Sequence, residues 1–255
     1  MTTVRDLIDF FDTRAPKALS LSWDNDGVML VPDASREVKK ILCALDVTER
    51  TADEAIELGC DTIISHHPFI FFKLARIDGD DVQCRLLCKL MEHRISVLSY
   101  HTRLDATEGG VNDTLCRVLG IVDAVPFGEE AVGRIGTLRA PATLAAFCNT
   151  CKDVLGSPVV HCVSAKKPVS RVAVLGGGGG DDWMNALKAG ADTYVTGSIG
   201  YNALLGAKAE GLNVIMAGHY YTEVPVLDTL KAWLSELCPE VEVLCAETPC
   251  EVLTV

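Results

Sequence analysis

The chain has 255 residues, 49% of them hydrophobic, and a net charge of −12. Such an acidic surface repels phosphate backbones and anionic lipid, which argues against nucleic acid or a membrane as the main partner. No apolar run reaches the ~20 residues of a membrane helix, and the N-terminus lacks the features of a signal or transit peptide. The 11 cysteines, an odd number scattered through predicted strands and helices, are typical of a reduced, cytoplasmic protein.

Strand and helix patterns alternate along the first half of the chain. Residues 48–60 predict a helix that opens at Thr48 and closes at Gly59. The alternating segments, strand first, are residues 39–47, 48–60, 61–69, 80–94 and 95–101. This order predicts parallel pairing and an α/β fold.

The second half of the chain repeats this alternation of predicted strands and helices. AIELGCDTIIS, starting at Ala55, resembles ALKAGADTYVT, starting at Ala186. We interpret this likeness as a pseudo-repeat and expect two related α/β lobes of mostly parallel strands. The first lobe is predicted over residues 1–120 and the second over residues 121–255. Residues 121–168 predict a strand, a helix and a strand that connect the halves or finish a sheet.

Four of the six histidines end predicted strands. Ligands of parallel α/β sheets bind beyond the carboxyl ends of strands. His66 and His67 are followed by Pro68, which favours an extended backbone and diverging side chains. Such a pair suits two metal ions, or one ligand and one orienting group.

Carboxylates accompany the other two strand ends. Asp105, four residues after His101, can bridge two cations with its two oxygens. His101 itself could be a ligand, a proton carrier or an orienting partner. His219 and Glu223 lie on one face if a helix starts near residue 219. A single histidine is more often structural, but three such strand ends together predict a metal centre, and histidine–carboxylate sets favour Zn, Mn, Fe or Ni over Ca or Mg.

Three other segments carry weaker signals. Cys148 and Cys151 form a C-x-x-C without a second pair at zinc-site spacing, and we interpret them as core-facing. The glycine-rich residues 175–183 could receive a phosphate, but two aspartates at the helix start would repel it, which favours a close-packed backbone loop. Asp24 and Asp26 could bind cations, although a turn with local side-chain hydrogen bonds is the favoured interpretation.

These clusters, in this order, resemble the Nif-three-like family of dinuclear-metal proteins, whose members are often named GTP cyclohydrolase I type-two homologues. The resemblance runs over nearly the whole chain, through LSWDNDGVML, LDVT, ISHHPFIFF, YHTRLDATEGGVND and AGHYYTE. It implies two α/β lobes with a dinuclear metal site between them, ring-shaped hexamers, and a short form without an inserted domain. The metal ligands that it implies are His66, His67, Asp105, His219 and Glu223.

The chain departs from the family pattern at two places. Ser198 and Asn202 stand where many members have an acid and a histidine, which changes the predicted rim of the cavity. Arg103 stands where asparagine is frequent, and its charge would bind an anionic substrate.

Two adjacent metal ions generate hydroxide near neutral pH and hold the oxygens of a displacement. We therefore expect a metal-dependent hydrolase that acts on a nucleotide, a phosphoester or a cyclic amidine or amide. A metal-bridging hydroxide is the predicted nucleophile and His101 the predicted proton carrier. The alternative is a non-enzymatic metal carrier or a scaffold for protein interactions. A binding module with a purely structural metal is disfavoured, because structural zinc sites are usually closed and rich in thiolates.

Overall fold

A computed structural model describes residues 1–247 and divides them into two units. The first unit contains Met1–Leu104 and residues 227–247, and the second contains Asp105–Val226. This division differs from the expected lobes, 1–120 and 121–255, because the chain returns to the first unit near its C-terminus. Residues 248–255 of the second expected lobe lie outside the described residues.

Helices and strands alternate along most of the chain, which confirms the α/β class. None of the helices in the described part has the length and apolar character that crossing a bilayer requires. The elements are α1 (Val4–Arg14), β1 (Gly27–Leu30), β2 (Lys40–Ala44), α2 (Glu49–Glu57), β3 (Thr62–Ser65), α3 (Val82–Glu92), β4 (Ser96–Ser99), α4 (Thr102–Ala106), α5 (Val111–Val118), β5 (Ile121–Phe127), β6 (Gly133–Ala142), α6 (Leu144–Leu155), β7 (His161–Val163), β8 (Val169–Leu175), α7 (Trp183–Lys188), β9 (Thr193–Thr196), α8 (Tyr201–Ala209), β10 (Asn213–Met216), α9 (His219–Glu223), α10 (Val226–Leu237) and β11 (Glu242–Cys245).

The first unit contains a sheet with the strand order β1-β4-β3-β2-β11. Strands β4, β3, β2 and β11 are parallel, and β1 pairs antiparallel at the edge. Every residue of β3 and β4 is buried, as expected for parallel strands covered on both faces. Between β2 and β3, the predicted helix is confirmed as α2, whose first turn is capped by the Thr48 hydroxyl.

The second unit contains a mixed sheet with the strand order β5-β6-β8-β9-β10-β7. Its central strands β8, β9 and β10 are parallel, and the outer pairings are antiparallel. Residues 121–168 therefore finish this sheet, with β5 and β6 at one edge and β7 at the other. Alternate residues of the central strands pack on opposite faces, so Val172 and Val174 lie in one core cluster and Ala173 in another.

Candidate metal centre

The His66–His67 pair directly follows β3 in the first unit. The extended backbone continues past the strand, because the amide of His66 donates to the Ala44 oxygen at 3.1 Å and that of His67 to the Leu45 oxygen at 2.8 Å. These hydrogen bonds hold both histidines at the carboxyl edge of the sheet. His66 is fully buried and His67 is partly exposed.

His101 reaches the same place from the neighbouring parallel strand. Ser65 of β3 is in register with Ser99 of β4, and the Tyr100 amide donates to the Ser65 oxygen at 2.8 Å. His101 follows at once, and its ring centroid lies 5.3 Å from that of His66 and 5.7 Å from that of His67. One ring nitrogen of each histidine lies within 4.8 Å of the other two, so the group could hold a metal ion.

Each of the three rings is oriented by a hydrogen bond at Nδ1. The acceptors are the Tyr100 backbone oxygen for His66, at 3.0 Å, the Asp46 carboxylate for His67, at 2.8 Å, and the Asp24 carboxylate for His101, at 2.9 Å. A carbonyl or carboxylate oxygen only accepts, so in each neutral imidazole the proton is on Nδ1 and the lone pair on Nε2. Histidines that bind metals are usually oriented in this way.

Asp24 is the most strongly constrained of these acceptors. Its buried carboxylate accepts from the backbone amide of Thr102 at 3.0 Å and from the Thr102 hydroxyl at 2.6 Å, besides His101. Burial alone would raise the pKa of this carboxyl, but the hydrogen bonds from His101 and Thr102 outweigh burial and lower the pKa to about 2. The expectation of local turn bonds is thus wrong for Asp24, because its partners lie far along the chain.

The guanidinium of Arg103 is buried inside the first unit. It donates to Asp12 at 2.8 Å and to the Ala15 backbone oxygen at 3.2 Å, and it lies 3.3 Å from the Asp26 carboxylate. It also lies over the Tyr100 ring, 4.7 Å from the centroid. These contacts use the charge within the protein, so the geometry does not support the predicted contact with an anionic substrate.

The second unit brings together His219 and Glu223. Both lie in α9, whose start at residue 219 confirms the predicted helix, and His219 Nε2 lies 3.2 Å from the Glu223 carboxylate. Glu223 is buried, whereas the His219 side chain is half-exposed. Asp105 is the first residue of this unit, and its backbone oxygen accepts a hydrogen bond from the side-chain amide of Asn112 at 3.4 Å.

The glycine loop, residues 176–180, packs directly against this pair. The Gly177 amide donates to the Thr222 hydroxyl at 2.9 Å. Gly177 has a φ of +62°, and a Cβ there would lie 2.0 Å from Glu223 Oε1 and 3.1 Å from His219 Nε2. The loop is therefore the close-packed backbone that the sequence favoured, and glycine is needed at residue 177.

A family model described as Duf34/NIF3 (NGG1p interacting factor 3) matches residues 2–250. The chain belongs to the Duf34/NIF3 family. It is 35% identical over 231 residues to the GTP cyclohydrolase 1 type 2 homolog of Clostridium perfringens, with 88% of each chain covered. The resemblance inferred from the sequence motifs is thus confirmed.

Solved structures of similar proteins share the fold over nearly the whole chain. A hypothetical protein of Staphylococcus aureus is 27% identical, with 99% of each chain covered and a TM-score of 0.90. Reduced HcgD of Methanocaldococcus jannaschii is 28% identical, with coverage of 97% of this chain and 98% of that one and a TM-score of 0.85.

Two further features of this Duf34/NIF3 chain are its cysteines and the two departures from the family pattern near α8. The ten cysteines among residues 1–247 are free thiols. Burial raises the pKa of Cys148 and of Cys151 to about 12, which keeps both thiols protonated and supports their interpretation as core-facing residues. Ser198 and Asn202, the departures near α8, are exposed.

Two residues of the first unit were missed by sequence reasoning as orienting groups. Asp46 follows β2, the strand next to β3, so the strand-end rule that found the histidines would also have found it. Asp24 was singled out as a possible cation ligand or turn residue, but it follows no strand, and no local pattern connects it with His101.

Proposed function

We propose that this chain is a metal-dependent hydrolase that uses two divalent ions. The proposed ligands are His66, His67, Asp105, His219 and Glu223. The observation that carries the proposal is the set of three histidines in the first unit, whose Nδ1 atoms all donate to fixed acceptors and whose ring nitrogens converge. A histidine with a purely structural role needs only hydrogen bonds for its own ring. It does not need two further imidazole rings beside it, each with its proton on Nδ1 and its Nε2 lone pair available.

The donor chemistry fits a divalent transition metal. Imidazole nitrogens with two carboxylates suit Zn, Mn, Fe or Ni, and no thiolate takes part. Ligands of one zinc ion lie about 2.0–2.1 Å from it, hence at most about 4 Å apart. The ring nitrogens of the histidine group lie within 4.8 Å of one another, which suits two neighbouring ions, or one ion after the rings move slightly closer together. When bound, such ions would activate water near neutral pH and hold the oxygens of a displacement.

The chain's own residues supply proton handling beside the ions. His101 is hydrogen-bonded to Asp24, and the low pKa of that carboxyl keeps it ionised. An ionised carboxylate at Nδ1 stabilises the imidazolium form, so His101 can accept a proton at Nε2 and return it. This arrangement supports a role as proton carrier, and it also suits a metal ligand.

Substrates that fit this chemistry are a nucleotide, a phosphoester or a cyclic amidine or amide. The name of the Clostridium perfringens relative agrees with a nucleotide, although it speaks only of that protein.

The test is metal content by elemental analysis of wild type, Glu223→Gln and the matched control Glu236→Ala, an exposed carboxylate in α10. We expect about two ions per chain in wild type and control and a sharp fall in Glu223→Gln. Wild-type protein that takes up no Zn, Mn or Fe would refute the proposal.

His101→Gln separates the two roles of His101. A proton carrier predicts retained metal and lost turnover against nucleotides and phosphoesters, whereas a ligand predicts lost metal.

The second candidate function, a metal carrier or scaffold, is favoured by the half-exposed His219, since an exposed ligand eases exchange of the ion. A carrier would release its metal to a chelator within minutes and show no turnover in any variant.

We also propose the assembly and location that the resemblance implies. A ring-shaped hexamer in the cytoplasm, built from chains with two lobes and no inserted domain, is the expected form. Sedimentation velocity of the full chain tests the hexamer, which a monomer or dimer at micromolar concentration would exclude.

A further inference from the structure

Three aromatic side chains of the first unit are exposed side by side. Trp23 is 58% exposed, Phe71 37% and Phe72 78%. The ring centroids of Trp23 and Phe71 lie 6.2 Å apart at an interplanar angle of 54°, and those of Phe71 and Phe72 lie 4.9 Å apart at 90°. We refer to these three residues as the aromatic cluster. Large apolar groups that remain exposed together commonly mark a binding surface.

The aromatic cluster borders the histidine group. The ring of His101 lies 6.1 Å from that of Trp23 and 6.5 Å from that of Phe71, with interplanar angles of 74° and 81°. His101 in turn contacts His66 and His67. A molecule that rests on the cluster therefore has its edge beside the convergent ring nitrogens.

The segment that carries Trp23 is held on both sides. Before it, the Leu21 amide donates to the Thr102 hydroxyl at 3.0 Å, and after it the Asp24 carboxylate binds His101 and Thr102. The side-chain amide of Asn25 donates to the Ile70 backbone oxygen, which links this segment to that of Phe71. The rings are thus exposed on a fixed support, and a ligand would not have to order them.

We propose that the aromatic cluster binds the planar heteroaromatic ring of the substrate, with Trp23 stacked on its face and the two phenylalanines contacting its edge. Aromatic faces bind nucleobases and similar ring systems through stacking, with little dependence on sequence or substituents. The ligand class is a bicyclic, purine-sized ring whose reacting edge lies beside His101. This inference rests on the proposed hydrolase, and it narrows that function from phosphoesters in general to compounds that carry such a ring.

The size of the cluster favours a small molecule over a second protein. Three aromatic side chains bury about 150–250 Å² each when fully covered. At the upper value the three side chains together bury about 750 Å². This area is below the roughly 800 Å² per partner of a stable protein interface.

The experiment is calorimetric titration of the metal-loaded full chain with guanosine, uridine and ribose. Nucleosides are used because they lack phosphate, which metal ions would bind without any stacking. We expect guanosine to bind, uridine to bind more weakly, and ribose not to bind, because stacking grows with ring area. Equal behaviour of guanosine and ribose would overturn the inference.

Variants assign the binding to the cluster. In Trp23→Ala the guanosine affinity should fall at least about fivefold, and Trp23→Phe should keep most of it. Ile77→Ala is the matched control, since Ile77 is 62% exposed in the same unit and lies outside the cluster. An unchanged affinity in Trp23→Ala, or an equal loss in Ile77→Ala, would contradict the proposed role.

Two further measurements separate the possible failures. The metal content of Trp23→Ala should equal that of wild type. A wild-type chain that binds no metal would refute the proposed hydrolase. A metal-loaded chain that binds no guanosine would refute only the stacking role. Sedimentation velocity of Trp23→Ala should match wild type. A smaller assembly would show that a second copy covers the cluster, which also overturns the inference.

Discussion

The two histidine groups of this chain are positioned by different physical means. In the first unit, each ring of His66, His67 and His101 is oriented by an acceptor at Nδ1. In the second unit, Glu223 and His219 lie where Gly177 leaves space for them. The first group depends on charge and hydrogen bonds, and the second on the absence of a side chain. The two groups should therefore respond to different changes, the first to isosteric loss of charge and to acid, and the second to added volume.

The largest effect is expected at the buried Arg103–Asp26 ion pair of the first unit. Arg103→Met removes the guanidinium that lies between Asp12 and Asp26 and should lower the free energy of unfolding by about 3 kcal/mol. This value is the lower end for a broken buried pair, because Asp26 loses one partner but keeps Lys17 and Ser20. Urea denaturation measures the change. Arg76→Met, in an exposed pair with Asp78, is the control and should shift stability by less than about 0.5 kcal/mol. Similar shifts in both variants would contradict the prediction.

Loss of charge at Asp24 tests the first group itself. Asp24→Asn keeps the shape but weakens the hydrogen bonds to His101 and Thr102, at an expected cost of about 1–3 kcal/mol.

The effect of Asp24→Asn should depend on pH in a defined direction. The folded pKa of Asp24, about 2, lies below its usual value of 3.8. Ionised Asp24 therefore stabilises the fold above about pH 4, and this contribution is lost as the pH falls towards 2. The stability gap between wild type and Asp24→Asn should be full at pH about 6 and smaller at pH about 2.5. A gap that is constant over this range would rule out the carboxylate as its source.

Added volume tests the second group. Gly177→Ala places a Cβ against the end of Glu223 and near His219, and it forces a φ of +62° on a residue with a side chain. The strain should cost about 1–2 kcal/mol. Because the Glu223 carboxylate can move aside, the greater loss should be in metal content. Gly178→Ala is the matched control, since a Cβ there meets no atom within 4 Å. Metal retained in Gly177→Ala would show that the glycine is not required.

The smallest change in stability is expected at Asp46. Its carboxylate, which binds Nδ1 of His67, is half-exposed, so Asp46→Asn should cost less than about 1 kcal/mol. Its effect on metal affinity should nevertheless be about 10–100-fold, as for other groups that orient histidine ligands. Competition with a fluorescent chelator measures this affinity. Loss of stability without loss of affinity would reverse the expected roles.

The local features of this chain could be predicted from its sequence. His66 and His101 end parallel strands, and His219 and Glu223 share one helix turn, so periodicity and spacing were enough to find them. The hydrogen bond of Asp24 with His101 could not be predicted, because it joins residues brought together only by tertiary packing.

The partners of the edge strands could not be predicted from local sequence patterns either. Strand β11 has the apolar pattern of its neighbours, but nothing in the pattern shows that it joins β2 rather than the second sheet. Arg103 was expected to bind an anionic substrate because it stands where asparagine is frequent in the family, whereas Asp12 and the buried Asp26, far along the chain, determine its position.

The pairing of β2 with β11 also determines when the first unit can be completed during translation. Lys40 of β2 is in register with Glu242 of β11, so this edge of the sheet has no partner until the ribosome has passed Cys245. All the strands of the second unit have been synthesised by then. A nascent chain therefore carries the His66–His67 segment one strand away from an open edge, and such an edge can pair with a wrong strand before β11 is made.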